Sequence, residues 1–214
     1  NYFMSKKVVI VDYGLGNIGS AQKSIQKALE LNGQTNYIVE KSSNYKSLIE
    51  SSHIVLPGQG AFQSCIEGLI NLDGVVEEIH NQVLERKKPI LGICVGMQLF
   101  ATTGYENGEH KGLDLIEGAV LKIPSNGHVL PHMGWNKIND LAKHPLLLGA
   151  ADEHFYFVHS YYFKPNDKKN ILATTNYNFE FPSVVGKGNI YGTQFHPEKS
   201  SSAGIKILSN FLLS

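Results

Sequence analysis

The first half of the chain alternates short β-branched runs with stretches of helical spacing, and this leaves few folds open besides a parallel sheet covered by helices. The runs occupy residues 8–11 (VVIV), 36–39 (NYIV), 53–56 (HIVL) and 89–93 (PILGI). Between the first two, Ile18, Ile25, Ala28, Leu29 and Leu31 keep to one helix face. Between the last two, Ile66, Leu69 and Ile70, then Val75, Val76, Ile79 and Val83, predict two helical pieces broken near Asp73-Gly74. From Gly118 the pattern changes to shorter strands over 119–123, 154–163, 170–175, 181–189 and 190–195, with Gly186 to Asn189 as a hairpin turn. A closing helix over 203–213 places Ile205, Leu208 and Leu212 on one face. The expected fold class is α/β, an open, mostly parallel central sheet flanked by helices with antiparallel additions.

The 214 residues, 42% of them hydrophobic, suffice to bury one core, and 4–214 is read as one domain. Residues 1–3 precede Met4, which reads as the native start, and are set aside. Nineteen basic residues balance nineteen acidic ones, with no Lys/Arg block, so neither nucleic acid nor a membrane surface is expected as a partner. No apolar run approaches the roughly 18 residues of a membrane span. With only Cys65 and Cys94, each explicable without a disulfide, a reducing cytoplasm is the expected location.

Gly92-Ile93-Cys94-Val95-Gly96 lies where the fourth run gives way to helix-favouring residues. This is the cysteine form of a nucleophile elbow, a cramped strand-to-helix bend that exposes its central side chain. Flanking glycines remove Cβ atoms that the bend would bring into collision. A helix start favours thiolate over thiol, and the Val95 N–H points where an oxyanion would form. On this stretch alone, a buried apolar cysteine explains as much. Cys65 has no such setting and is read as apolar filler.

A thiol nucleophile needs a base, and the base needs an orienter. His196-Pro197-Glu198 ends a strand-like run, where extended backbone would put both side chains on one face and the proline would limit φ. Residues 56–62 (LPGQGAF) follow a strand and set two glycines around Gln59, so a peptide there could supply a second oxyanion donor. A plain strand-to-helix turn would use the same residues. His53 starts a strand, and His80, His110, His128 and His144 are assigned to surface or loop positions. His132 and His159 are assigned supporting hydrogen bonds, because no carboxylate or cysteine stands at zinc-site spacing; no metal is expected.

Six separated segments, DYGLGNIGS, LPGQGAF, PILGICVGMQLF, LPHMGWN, YFVHSYY and YGTQFHPEKS, together resemble the class I glutamine amidotransferases. More narrowly, the chain is similar to the glutaminase subunits of imidazole glycerol phosphate synthase. The resemblance implies that Cys94 attacks the side-chain amide of L-glutamine, that His196 serves as acid and base, and that Glu198 orients it, with no cofactor. It further implies a glutamine pocket at Gly58, Gly60, Gln98, Ser160 and Tyr161, with oxyanion donors at Gln59 and Val95. The implied partner is a (β/α)₈-barrel cyclase subunit, docked through Asn17, Trp135, Tyr156 and Lys199, that uses the ammonia in histidine biosynthesis. Paralogues that feed other acceptors share the same glutaminase half. Gln59 departs from the valine many relatives carry, which bears on how readily its peptide turns.

A rival reading starts from Gly14-Leu15-Gly16-Asn17-Ile18-Gly19, a G-x-G-x-x-G between strand and helix, with Glu40 placed as a ribose-binding acid. By itself it predicts a dinucleotide-binding oxidoreductase. Against it, Asp12 would bring negative charge toward a pyrophosphate, and the elbow and His-Pro-Glu go unexplained. A catalytically silent binding module is disfavoured because all three triad positions are filled.

Overall fold

The computed structural model describes residues 5–214, so the reading of Met4 as the native start lies outside the described residues. The first half runs β1 (Lys6–Val11), α1 (Ile18–Leu31), β2 (Tyr37–Ser42), α2 (Tyr45–Glu50), β3 (His53–Leu56), α3 (Phe62–Ile70), α4 (Val75–His80), β4 (Ile90–Ile93) and α5 (Val95–Gln98). The second half adds β5 (Thr103–Gly104), β6 (His110–Lys111), β7 (Gly118–Lys122), β8 (His132–Lys137), β9 (His154–His159) and β10 (Tyr161–Pro165). It closes with β11 (Ile171–Asn176), β12 (Glu180–Lys187), β13 (Ile190–Thr193) and α6 (Ser201–Leu212).

Seven strands form the central sheet in the order β11-β12-β13-β4-β3-β1-β2. The last five in that order run parallel, and β12 and β11 extend the sheet antiparallel. The structure is therefore α/β, with a mostly parallel sheet flanked by helices. Every residue of β3 and β4 is buried, as expected of central parallel strands covered on both faces. The predicted hairpin turn joins β12 to β13, with Gly188 at φ +59°.

Several expectations need correction. Residues 154–163 are two strands: β9 pairs with β8, whereas β10 pairs with β7 in a different sheet. The chain changes sheets at Ser160, whose carbonyl accepts from Ile123 N–H at 2.9 Å. On α6 the buried face includes Ile207 and Phe211 beside Leu208 and Leu212, and Ile205 is only half-buried. His80 ends α4, half-buried between the carbonyls of Val76 and Leu113, rather than lying in a surface loop, whereas His53 starts β3 as expected and is buried there. Cys65 is fully buried, as filler should be, but also donates to the Gln59 carbonyl at 3.2 Å.

The bend at the end of β4 depends on three glycines. A Cβ on Gly96 would lie 1.9 Å from the Leu56 carbonyl oxygen of β3, and one on Gly92 would lie 2.7 Å from Met97 Cα. A Cβ on Gly58 would lie 2.6 Å from Gly96 N. The flanking glycines thus serve contact between neighbouring strand ends as much as the bend itself.

His132 and His159 knit β8 and β9 together. His159 Nδ1 lies 2.8 Å from the Tyr161 carbonyl, which can only accept, so Nδ1 carries the proton and Nε2 is free to accept. His132 Nδ1 then donates to it at 3.0 Å, and His132 Nε2 accepts from Asn136 at 3.3 Å. Both rings are satisfied only when neutral. Burial pushes His132 down to about 4 and His159 to about 3.

Replacing Gly96 with alanine should cost about 3 kcal/mol, because the obstructing atom is backbone. Gly19→Ala, where nothing lies within 4 Å in helix α1, should gain about 0.5 kcal/mol. Urea unfolding midpoints check both. Below its usual pKa of about 6.5 an unfolded histidine takes up a proton that the folded pair refuses. Stability should therefore fall as pH drops from about 6.5 toward about 4, at roughly 1 kcal/mol per pH unit for each ring. His132→Gln should flatten that slope measurably in denaturation series across this window.

Candidate functional site

Three adjacent parallel strands end at the site. β4 lies between β3 and β13, with Gly92 opposite both Leu56 and Gly192. The residues beyond these strand ends are Pro57 to Gly60, Cys94, and Gln194 to Glu198, so segments far apart in sequence meet at one sheet edge, as open α/β sheets commonly arrange.

Cys94 occupies φ +55°, ψ −114°, a conformation a side-chain-bearing residue adopts only when its surroundings enforce it. Its N–H is held by the Thr193 carbonyl at 2.8 Å, and α5 begins at the next residue. The thiol lines a cavity of about 300 Å³ although the residue is nearly buried. Its protein neighbours are Gln194 Nε2 at 3.6 Å and, more distantly, the Val158 carbonyl at 3.9 Å.

His196 Nδ1 lies 2.6 Å from Glu198 Oε1, and both side chains are 3% exposed. The carboxylate accepts, so Nδ1 carries a proton and Nε2 faces the cavity, with no hydrogen-bond partner among the described residues. Burial opposes charge on the ring, yet the neighbouring Cys94 sulfur and Glu198 outweigh it and raise His196 to about 10.

The route by which Glu198 reaches the ring differs from the expected alternation of an extended strand. His196 is extended, but Pro197–Lys199 form a 3₁₀ turn that folds the carboxylate back. Ser200 fixes the turn: its hydroxyl donates to the His196 carbonyl at 2.6 Å and accepts from Tyr156 N–H at 3.0 Å.

The cavity collects most of the expected pocket residues: Gln59, Gly60, Val95, Gln98, Ser160 and Tyr161. Gly58 stands behind the wall, against Gly96. Glu106, Pro131, Val158 and His159 complete the lining, and of these only His159 had an expected role, a supporting hydrogen bond. Glu106 reaches the cavity by capping α3 from outside, accepting from Phe62 N–H at 3.0 Å where Ala61 offers no capping side chain. Nothing periodic in its loop marks it. Gln194, fully buried and 3.6 Å from the sulfur, lies just past the end of β13, two residues before His196.

The four expected docking residues sit on the surface around this edge. Trp135 and Tyr156 pair across β8 and β9 with ring centroids 6.0 Å apart, and Trp135 is 54% exposed beside the exposed Met133. Lys199 closes the turn carrying Glu198, and Asn17 caps α1, which packs against that turn. The structure gives the dinucleotide reading no cradle. Asp12 accepts from Gly14 N–H at 3.3 Å, Asn17 accepts from Ser20 N–H at 3.4 Å, and a Cβ on Gly16 would lie 3.0 Å from Pro57. Donors and space that a pyrophosphate would need are taken by the protein itself. Among the described residues, no group of three or more His, Cys, Asp or Glu side chains could hold a metal, and no helix is long and apolar enough to cross a membrane.

A family model described as glutamine amidotransferase class-I matches residues 9–214. The chain is 46% identical to the imidazole glycerol phosphate synthase subunit HisH of Pelagibacter ubique, covering 96% of this chain and 98% of that one. It is 45% identical to the protein of that name from Methanosarcina acetivorans, over 97% and 98% of the two chains. Among solved structures, a glutamine amidotransferase superposes with a TM-score of 0.71 at 17% identity, covering 96% of this chain and 97% of that one. PurLQS from Thermotoga maritima gives 0.68 at 20%, over 98% and 99%, and both likenesses concern the fold alone. With a bent cysteine, a buried His-Glu pair and a cavity at one sheet edge, and with relatives this similar over nearly their whole length, the chain belongs to the class-I glutamine amidotransferases, in the group of imidazole glycerol phosphate synthase HisH subunits.

Proposed function

We propose that this chain is the glutaminase subunit of an imidazole glycerol phosphate synthase, releasing ammonia from L-glutamine for a partner subunit in histidine biosynthesis. The observation that carries the chemistry is the Cys94 sulfur on its strained bend, in one cavity with the imidazole of His196, which Glu198 holds at 2.6 Å. In this reading Cys94 Sγ adds to the amide carbon, and the oxyanion is met by the N–H groups of Val95 and Gln59. His196 delivers its proton to the departing ammonia, leaving a glutamyl thioester. Water, deprotonated by Nε2, then attacks the thioester carbonyl; glutamate leaves and the proton returns to the site. Glu198 keeps the ring in the tautomer that presents Nε2.

The glutamine backbone is assigned to the wall formed by Gly60, Ser160 and Tyr161, with the Glu106 carboxylate suited to an α-ammonium group. Gly58 permits close approach of the oxyanion loop to the elbow. The docking face is assigned to Asn17, Trp135, Tyr156 and Lys199, and the partner to a (β/α)₈-barrel cyclase that forms imidazole glycerol phosphate and AICAR. The exposed Trp135, paired with the half-buried Tyr156 next to the turn bearing Glu198, gives such a partner a direct mechanical connection to the site. A reducing cytoplasm suits two free thiols, one of them the nucleophile.

Glutamate release should be slow for the isolated chain and rise when the cyclase subunit and its phosphoribosyl substrate are added. Cys94→Ala should reduce the stimulated rate at least about a thousandfold. Glu198→Gln should lower kcat by roughly a hundredfold or more with little change in KM. Unchanged glutamate release from the Cys94→Ala complex would sink the proposal.

A further inference from the structure

Gln194 is fully buried and touches the nucleophile, yet no step described above uses it. Its amide orientation follows from its neighbours. The Tyr161 carbonyl can only accept a hydrogen bond, and the atom of Gln98 lying 3.1 Å from it must therefore be the amide nitrogen. That same nitrogen also faces Gln194 at 3.1 Å, so the Gln194 atom opposite it must be the amide oxygen. Gln194 is thereby left with its nitrogen toward Cys94 Sγ, at 3.6 Å. Reversing this amide would set two donors against each other inside a buried site and leave the sulfur facing an oxygen.

We infer that Gln194 is a catalytic residue, whose N–H is a fixed donor to the Cys94 sulfur at the end of the relay Tyr161 carbonyl, Gln98, Gln194. This rests on the proposed thiol chemistry and adds a group to it. A hydrogen bond to an ionised acceptor is stronger than one to a neutral acceptor, and more so where water is excluded. The donor therefore favours the anionic sulfur that attacks, and the sulfur that re-forms when the thioester breaks. No backbone amide of the elbow need be diverted from the oxyanion for this purpose. The relay also fixes how Gln98 meets a ligand. Both of its N–H groups are spent, so only its carbonyl oxygen remains, and that oxygen can only accept.

The test uses the complex with the cyclase subunit and two variants, Gln194→Met, which keeps the length and loses the donor, and Gln194→Asn, which withdraws the donor by one methylene. Two readouts are taken: kcat and KM for glutamate release, and the rate of iodoacetamide alkylation at Cys94, followed by mass on its own peptide across a pH series. For Gln194→Met the expectation is a tenfold to hundredfold loss in kcat with KM within about twofold. Alkylation should slow at neutral pH and recover at alkaline pH. Gln194→Asn should lie between Met and wild type, and it carries the test if the Met variant does not fold. Wild-type alkylation across the pH series in either folded variant, or a KM rise with kcat intact, would overturn the inference. If the unaltered complex released no glutamate, the glutaminase reading would fail, while alkylation would still decide whether Gln194 acts on the sulfur.

Discussion

The site depends on one close approach, of the Gly96 backbone to the Leu56 carbonyl at the end of the neighbouring strand. A Cβ there would stand 1.9 Å from that oxygen. Because nothing intervenes, β4 can bend within a single residue and start α5 directly over the end of β3. Cys94 is the residue at the bend, and its φ of +55° is the local cost of turning so sharply. The bend leaves the sulfur at the cavity wall with the Val95 N–H beside it. Gly58 carries the same close packing to the next loop, so the Cys94 bend and the Gly58–Gly60 loop are seated against each other.

Around that bend, hydrogen-bond directions are dictated by backbone carbonyls. The carbonyl of Tyr161 receives both His159 Nδ1 and Gln98 Nε2. One chain of donors runs from it through His159 and His132 to Asn136, and the other through Gln98 and Gln194 to the sulfur. Since a carbonyl cannot donate, each later tautomer or amide orientation follows. This single acceptor lies just after Ser160, where the chain crosses between sheets, so the change of sheet and the polarity of the site share one origin. The two ring systems behave oppositely. His132 and His159 stay neutral because nothing nearby compensates a buried charge, whereas at His196 a carboxylate and a sulfur favour the charged ring against burial.

The sheet order ties the outer face to the site. β13 inserts beside β4 and delivers His196, and the turn after it is tied through Ser200 to Tyr156 on the β8–β9 ribbon. Tyr156 pairs with the exposed Trp135. A partner pressing on that pair would act on the same ribbon that holds the turn bearing Glu198. The connection is a short run of hydrogen bonds through rigid backbone.

Much of this was legible because it is local. Alternating apolar runs fixed the α/β class, since burial on both faces demands such strands. The glycines around Cys94 marked the bend, because only residues without Cβ tolerate it, and His196 with Glu198 stood out through short, proline-limited spacing. Other features depended on contacts between distant segments. The run over 154–163 looked continuous because hydrophobic alternation does not register a change of sheet. The three glycines after β1, Gly14, Gly16 and Gly19, looked like a phosphate cradle until Asp12, Asn17 and Pro57 were seen to fill it. Glu106 entered the cavity by capping a helix 44 residues away. Sequence by itself determined which residues could form strands, bends and proton-transfer pairs, because those are properties of near neighbours along the chain. Only the tertiary structure decided that β13 lies beside β4, and so which imidazole meets which thiol, because strand order is set by packing among segments far apart in sequence.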